Sequence, residues 1–246
     1  MTDAAAQEST PGTRERLLRA AAGLLAQGGR DAVSTRAVSA AAGVQAPTIY
    51  RVFGDKEGLL EAVADYGFQG YLAEKQALAR TDDPVADLRR SWYLHVEFGL
   101  SMPAFYRLMY GEARTAESSS ARAVEMLREL VARVASAGRL RMSVDRATRL
   151  MHANGVGVVL SLLAVPPEER DDGLSEVACA NVMRAITTDG GEEGPVAAPA
   201  TVAGRAGALR EALRDPGSSA LSAAEHALMA EWLDRIADAP EGAPEA

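Results

Sequence analysis

Apolar residues recur every three or four positions along most of this chain, and the recurrences break at a small set of glycines and prolines. That period belongs to amphipathic helices rather than strands. Over 14–26, Leu17, Leu18, Ala21, Leu24 and Leu25 share one face. Ser34 or Thr35 stands where a cap belongs, and a short helix is predicted from there to about 42. Gly43 follows, suited to the left-handed geometry that ends a helix. Val44 fills the turn, and Gln45-Ala46-Pro47 opens a second short helix. Pro47 is tolerated there because first-turn amides have no intrahelical partner. Val38, Ala41, Val44, Ile49 and Phe53 fall on faces expected to meet across the turn. Gly54-Asp55 stops this helix, and Asp55 is placed to cap a long helix over 56–80.

Thr81, Asp82, Asp83 and Pro84 interrupt the pattern and start a helix over 84–100, with Leu88, Trp92, Val96 and Gly99 on one stripe. Met102-Pro103 precedes a short aromatic helix over 104–110. The segment 118–137 is amphipathic through Val124, Leu127, Val131 and Val134, and Gly138 ends it. The next helix, 144–164, carries Gly155 and Gly157 in its interior, each costing about 1 kcal/mol relative to Ala. Ala153, Gly157 and Ser161 form a row of small residues that admits a close helix neighbour, either in the same chain or in a second copy. Pro166-Pro167 ends that segment, and one more helix is predicted over 171–188. A Gly/Pro/Ala-rich stretch then reads as a linker. Helical patterns return over 204–214 and 222–237, the latter with an apolar stripe of Leu228, Trp232 and Ile236 expected to dock.

The predicted class is all-α. Residues 1–12 read as a disordered lead-in. A small three-helix unit occupies 13–58, a larger helical unit 59–188, a linker 189–204 and a helical extension 205–246. At 246 residues the chain is long enough for two domains. It is 48% hydrophobic but only 5% aromatic, which favours helices packed through small side chains. One cysteine, Cys179, excludes an internal disulfide framework and reads as a small buried residue. No apolar run approaches the roughly 18 residues of a membrane span. The amino-terminal residues lack the basic-then-apolar pattern of a secretory signal. A cytoplasmic protein without a membrane partner is expected.

The formal charge is −8, unevenly placed: +2 through Lys56 and −10 beyond it. A basic start and an acidic remainder suit a protein that meets phosphates through a few localised contacts. His95 and His152 stand alone, without cysteine or carboxylate companions at metal-ligand spacing. No nucleophile–base set, phosphate-cradling loop or dinucleotide fingerprint stands out. Catalytic residues, a metal site and a cofactor are therefore not expected, and the chain does not read as an enzyme.

From Thr35 to Leu60 the string T-x-x-V-x-x-x-A-G-V-x-x-x-T-I-Y-x-x-F-x-x-K-x-x-L-L runs without a gap. It resembles the DNA-binding signature of the TetR/AcrR family of bacterial regulators, and 14–26 fits that family's first helix. The resemblance implies a homodimer in which two copies of the helix near 46–53 enter successive major grooves of double-stranded DNA at a pseudo-palindromic operator. Thr35 and Arg36 would contact the backbone or a flanking base. Gln45, Thr48 and Arg51 would read base edges from a helix opened by Ala46 and Pro47. Tyr50 and Lys56 would hold phosphates. The sequence departs from the common family pattern at Ser39 (usually Ala), Gln45 (usually Ser) and Val52 (usually His).

The resemblance also implies a repressor released from DNA by a small, largely apolar effector. The segment 93–111 resembles the start of one carboxy-terminal domain type of the family, named for a Trp-His-Gly motif. The Trp and His of that motif would fall near Met151 and Asn154, with Gly155 retained. The residues expected to line a cavity are Trp92, His95, Phe98, Met102, Phe105, Tyr106, Met109, Tyr110, Met126, Leu130, Met151 and Asn154. Pockets are mostly apolar with a few orienting polar groups, here His95, Tyr106, Tyr110 and Asn154, and methionines let a pocket adapt. Each of these residues could instead be ordinary core. In the family the last two core helices pack against their copies as a four-helix bundle, a role that suits Ala153, Gly157 and Ser161. The alternative is a DNA-binding regulator whose cavity is filled by its own side chains and which answers to occupancy or a protein partner.

Overall fold

A computed structural model describes residues 12–110, 119–190, 201–214 and 221–239. The expected lead-in and most of the expected linker lie outside the described residues. Those described form an all-α chain: α1 (Thr13–Ala32), α2 (Thr35–Ala42), α3 (Ala46–Phe53), α4 (Lys56–Ala77), α5 (Pro84–Ser101), α6 (Pro103–Tyr110), α7 (Ser119–Ser136), α8 (Val144–Leu163), α9 (Leu174–Ile186), α10 (Val202–Ala212) and α11 (Ala223–Ala237). The chain divides into two compact units, 1–73 with 102–119, and 74–101 with 120–246.

The first unit is a helix-turn-helix platform. Leu17, Leu18, Ala21 and Leu25 of α1, Val38 of α2, Ile49 of α3 and Leu59 of α4 are buried. α1 runs past the expected end at 26, broken at Gly28 and at Gly29, whose φ of +66° needs a glycine. Ala41, expected inside the turn, is exposed; its neighbour Ser39 takes the buried position. The unit also exceeds the expected 13–58 segment. α6 returns to pack on α1, and α6 meets α4 so closely that a Cβ on Gly67 would fall 2.1 Å from the Phe105 ring. No side chain larger than hydrogen fits there.

In the second unit α5, α8 and α9 pack mutually through Leu88, Trp92 and Val96 against Met151, Val159 and Val182, with Leu127, Val131 and Val134 burying α7. The backbone at 139–141 pairs with 186–188: the Arg141 N–H donates to the Ile186 carbonyl at 2.9 Å and that of Thr188 to Arg139 at 3.0 Å. This pairing ties the α7–α8 connection to the end of α9. The extension docks on the same connection. Gly204 of α10 approaches the Leu140 carbonyl, and the Asp238 carboxylate after α11 accepts from the backbone N–H and hydroxyl of Ser143, the cap of α8, at 2.9 and 2.8 Å. The stripe expected to dock does not. Leu228, Trp232 and Ile236 are exposed, and α11 is anchored instead through Leu233 and Ala237 against Ala206.

Candidate functional site

The first unit presents α3 by burying one face and capping both ends. The Ser34 hydroxyl accepts from the Ala37 N–H at 3.1 Å and starts α2. Gly43, at φ 66° and ψ 38°, ends it in the left-handed region. α3 opens with Pro47 in its first turn and closes at Gly54, whose φ is +83°. The Asp55 carboxylate then accepts from the Gly58 N–H at 2.7 Å, capping α4. Gly58 is itself obligatory, since a Cβ there would lie 2.2 Å from the Phe53 carbonyl. Ile49 is the buried anchor of α3, fully shielded from solvent.

With Ile49 inward, the opposite face turns outward. Gln45, Ala46, Pro47, Tyr50 and Arg51 are exposed, as are Arg36 on α2 and Lys56 at the start of α4; Thr35 and Thr48 are half-buried. Of the nine expected DNA-contacting residues, Ala46, Pro47, Thr48, Tyr50 and Arg51 lie on α3 with Gln45 as its cap, Thr35 and Arg36 open α2, and Lys56 opens α4. Two stabilising contacts escaped the sequence reading. The Arg14 guanidinium sits 5.5 Å from the centre of the Phe53 ring, and Arg30 pairs with Glu57 at 3.0 Å, joining α1 to the start of α4. Neither partner is within one turn of the other in sequence, so no local pattern could expose the pairing.

The twelve expected pocket residues divide between the units. Met102, Phe105, Tyr106, Met109 and Tyr110 belong to the first. There the Tyr106 and Tyr110 rings meet at a tilt, 4.6 Å between centres, and burial first, then the nearby Tyr110 phenol, pushes the Tyr71 and Tyr106 phenols above their ordinary range. Trp92, His95, Phe98, Met126, Leu130, Met151 and Asn154 belong to the second. Trp92 is buried and its indole N–H donates to the Ser175 hydroxyl at 3.1 Å. His95 packs on Gly155, where a Cβ would come within 3.2 Å of the ring. Desolvation first, then Lys75 and His152, lower the His95 pKa to about 3. Asn154 does not face inward with the others. It is exposed, and its amide donates to the Leu150 carbonyl one turn earlier at 2.8 Å. Its neighbours on that outer face are Ala153, Gly157 and Ser161, all exposed, with Leu150 exposed beside them and Val177 of α9 also exposed.

A cavity of about 350 Å³ lies within the second unit, at the end of α4, the start of α5 and the start of α7. Met126 and Leu130 line it, but so do Lys75, Arg80, Arg90 and Arg122, which the sequence reading did not single out. A signal for Lys75 did exist: it continues the α4 row of Phe68, Tyr71 and Leu72 at helical spacing, a cation on an apolar face.

An exposed α3 on a capped three-helix platform, followed by a helical second unit, defines a helix-turn-helix protein. Residues 17–63 match the family model described as bacterial regulatory proteins, tetR family. That match assigns residues 17–63 to the DNA-binding domain type of the tetR family. No curated protein matches the chain. Its fold is similar to the crystal structure of a protein assigned to the tetR family of transcription regulators from Shewanella sp. PV-4, at 19% identity and a TM-score of 0.57 over 72% of this chain and 99% of that one. It is also similar to NalD, the secondary repressor of the MexAB-OprM multidrug efflux pump in Pseudomonas aeruginosa, at 22% identity and 0.54 over 72% and 96%. A third similar structure is a TetR variant from Acinetobacter baumannii AYE in complex with minocycline, at 23% identity and 0.52 over 68% and 90%. Among the described residues no helix is long and apolar enough to cross a membrane.

Proposed function

We propose that this regulator is a homodimeric repressor that reads a pseudo-palindromic operator through two copies of α3 and releases it when a small molecule occupies the second unit. The observation that carries the DNA half is the polarity of α3: Ile49 is fully buried while Tyr50, one residue on, is 53% exposed and Arg51 stands beside it. The amide of Gln45 and the guanidinium of Arg51 can pair with purine edges. Thr35, Arg36, Tyr50 and Lys56 set the register on phosphates. The dimer half is supported by the exposed row Ala153, Gly157 and Ser161 on α8. NalD's description as a repressor and the minocycline complex of the TetR variant are in keeping with this reading.

Selection of bound sequences from a random DNA pool tests it directly. The expected product is a two-fold symmetric site bound by a dimer. Arg51→Ala should then lose about 1–3 kcal/mol of operator affinity in a gel shift at fixed salt. A monomer that holds scrambled duplexes as tightly as the selected one refutes the proposal. A second reading, a regulator without a small-molecule effector, draws support from the buried state of Trp92, Phe105, Tyr106 and Met109. Its mark would be operator binding that no candidate effector weakens. Release by a ligand requires a difference in its affinity for two states, about 1.4 kcal/mol for a tenfold loss of DNA binding.

A further inference from the structure

The cavity of the second unit has two kinds of wall. Leu78, Met126 and Leu130 supply apolar surface, and Lys75 and Arg122 supply cations. Most of the other charged side chains around it are paired: Arg80 with Glu129 at 3.2 Å, Asp87 with Arg90 and Arg133, and Glu125, which also lines the cavity, with Arg214 at 4.0 Å. Arg122 enters none of these pairs and is exposed at the start of α7. Lys75 is 8% exposed, and its ammonium donates to the Ala123 carbonyl at 3.2 Å. Burial brings its pKa down to about 8, and the same ammonium lowers those of His95 and His152. Asp87, Glu125 and Glu129 each stand beside an arginine, Lys75 and Arg122 add two further cations to the lining, and one wall can take hydrocarbon.

We propose that the cavity binds an amphiphilic monocarboxylate, its anionic head between Lys75 and Arg122 and its chain against Leu78, Met126 and Leu130. A volume of about 350 Å³ limits the guest to a small molecule. Charge-assisted hydrogen bonds to an ammonium and a guanidinium are roughly twice as strong as neutral ones, so an alcohol of the same length gives up most of the head contribution. An amine of that length meets like charge. As the effector site this assignment rests on the ligand-released reading above; as a binding site it stands apart from it.

Calorimetric titration of the full chain with octanoate and decanoate, and with the matching alcohols and amines, tests the assignment. The acids should bind saturably and at least tenfold more tightly than the alcohols, a gap of about 1.4 kcal/mol. Arg122→Gln and Lys75→Met should each remove most of that gap. The first alters an exposed side chain and the second replaces a buried cation by an apolar chain of similar length, so both should melt near wild type. Equal affinity for acid and alcohol, no saturable binding of either, or a gap unchanged in both variants overturns the site. A gel shift on the selected operator reads the consequence separately. Release by octanoate in the wild type but not in Arg122→Gln supports both readings, while binding without release keeps the carboxylate site and sinks its role as effector site.

Discussion

Replacing Gly157 by Ala and by Leu asks whether α8 packs against a second copy of itself. Gly157 lies in the interior of α8, is exposed, and has no atom within 4 Å of the place a Cβ would occupy. Gly155 differs: its Cβ would press on the His95 ring, so packing within the chain accounts for that glycine. Nothing among the described residues of the chain accounts for Gly157, which costs about 1 kcal/mol of helix propensity relative to Ala. In an isolated chain Gly157→Ala should therefore raise the melting temperature by about 2–4 °C. If two copies meet across Ala153, Gly157 and Ser161, Leu at 157 overfills the closest approach. Overpacking costs about 1–3 kcal/mol per site, and two-fold symmetry counts it twice. About 2–6 kcal/mol per dimer raises the dissociation constant by roughly thirtyfold to twenty-five-thousandfold. Sedimentation across a concentration series should show Gly157→Leu as a folded monomer where the wild type is a dimer, with operator affinity falling in parallel. A Leu variant that dimerises like the wild type refutes the interface.

Three further outcomes follow from buried polar groups. The Asp87 carboxylate is 3% exposed and accepts from the Thr81 hydroxyl at 2.6 Å, the Thr81 N–H at 3.0 Å, Arg133 at 2.5 Å and also Arg90. Burial alone would raise its pKa, yet these donors hold it well below the usual carboxylate range. Asp87→Ala removes the acceptor shared by both guanidiniums, which retain the Ala79 and Thr81 carbonyls, and should cost about 1.5–3 kcal/mol in urea melts; a loss below about 1 kcal/mol contradicts the clamp. The Ser39 hydroxyl is buried and has no hydrogen-bond partner among the described residues. Ser39→Ala should stabilise the first unit by about 1–2 kcal/mol in thermal melts, and a lower melting point would reveal a missed partner. His95 is neutral in the fold down to a pKa of about 3 but protonates near 6.5 when unfolded. The unfolded chain then binds the extra proton between those values, so stability falls as pH drops through that window, by roughly 4–5 kcal/mol in total. His95→Gln should flatten this acid slope, and identical slopes in variant and wild type would rule the imidazole out as the source.

Local chemistry made the first unit legible. The cap of α2, open between Ser34 and Thr35 in the sequence, falls to Ser34; the left-handed Gly43, Pro47 in the first turn of α3 and the Asp55 cap stand as read, and each depends on residues within four positions. Burial periodicity was equally readable on α5, where Leu88, Trp92, Val96 and Gly99 are buried. What escaped depends on partners distant in sequence. Asn154 sits at a spacing compatible with either face of α8, and only the packing of α5 and α9 decides that it turns outward.

The stripe of Leu228, Trp232 and Ile236 fails as a docking signal for a related reason. α11 has two apolar rows, and the bulkier one is not the row that meets α10. Gly204 and Gly207 turn to the 138–142 backbone, and the α10 residue set against α11 is the small Ala206, met by Leu233 and Ala237 with Met229 beside them. A small residue on α10, not the bulk of the α11 side chains, marks the contact there. The same physics governs Gly67 against Phe105 and Gly155 against His95, where the small residue is the informative partner and the large one merely fills the space it leaves. A hydrophobic scale weights Trp232 above Ala237 and so inverts the order. Helices as rich in alanine and glycine as these are better read by asking where a Cβ is missing than by asking where an aromatic is present.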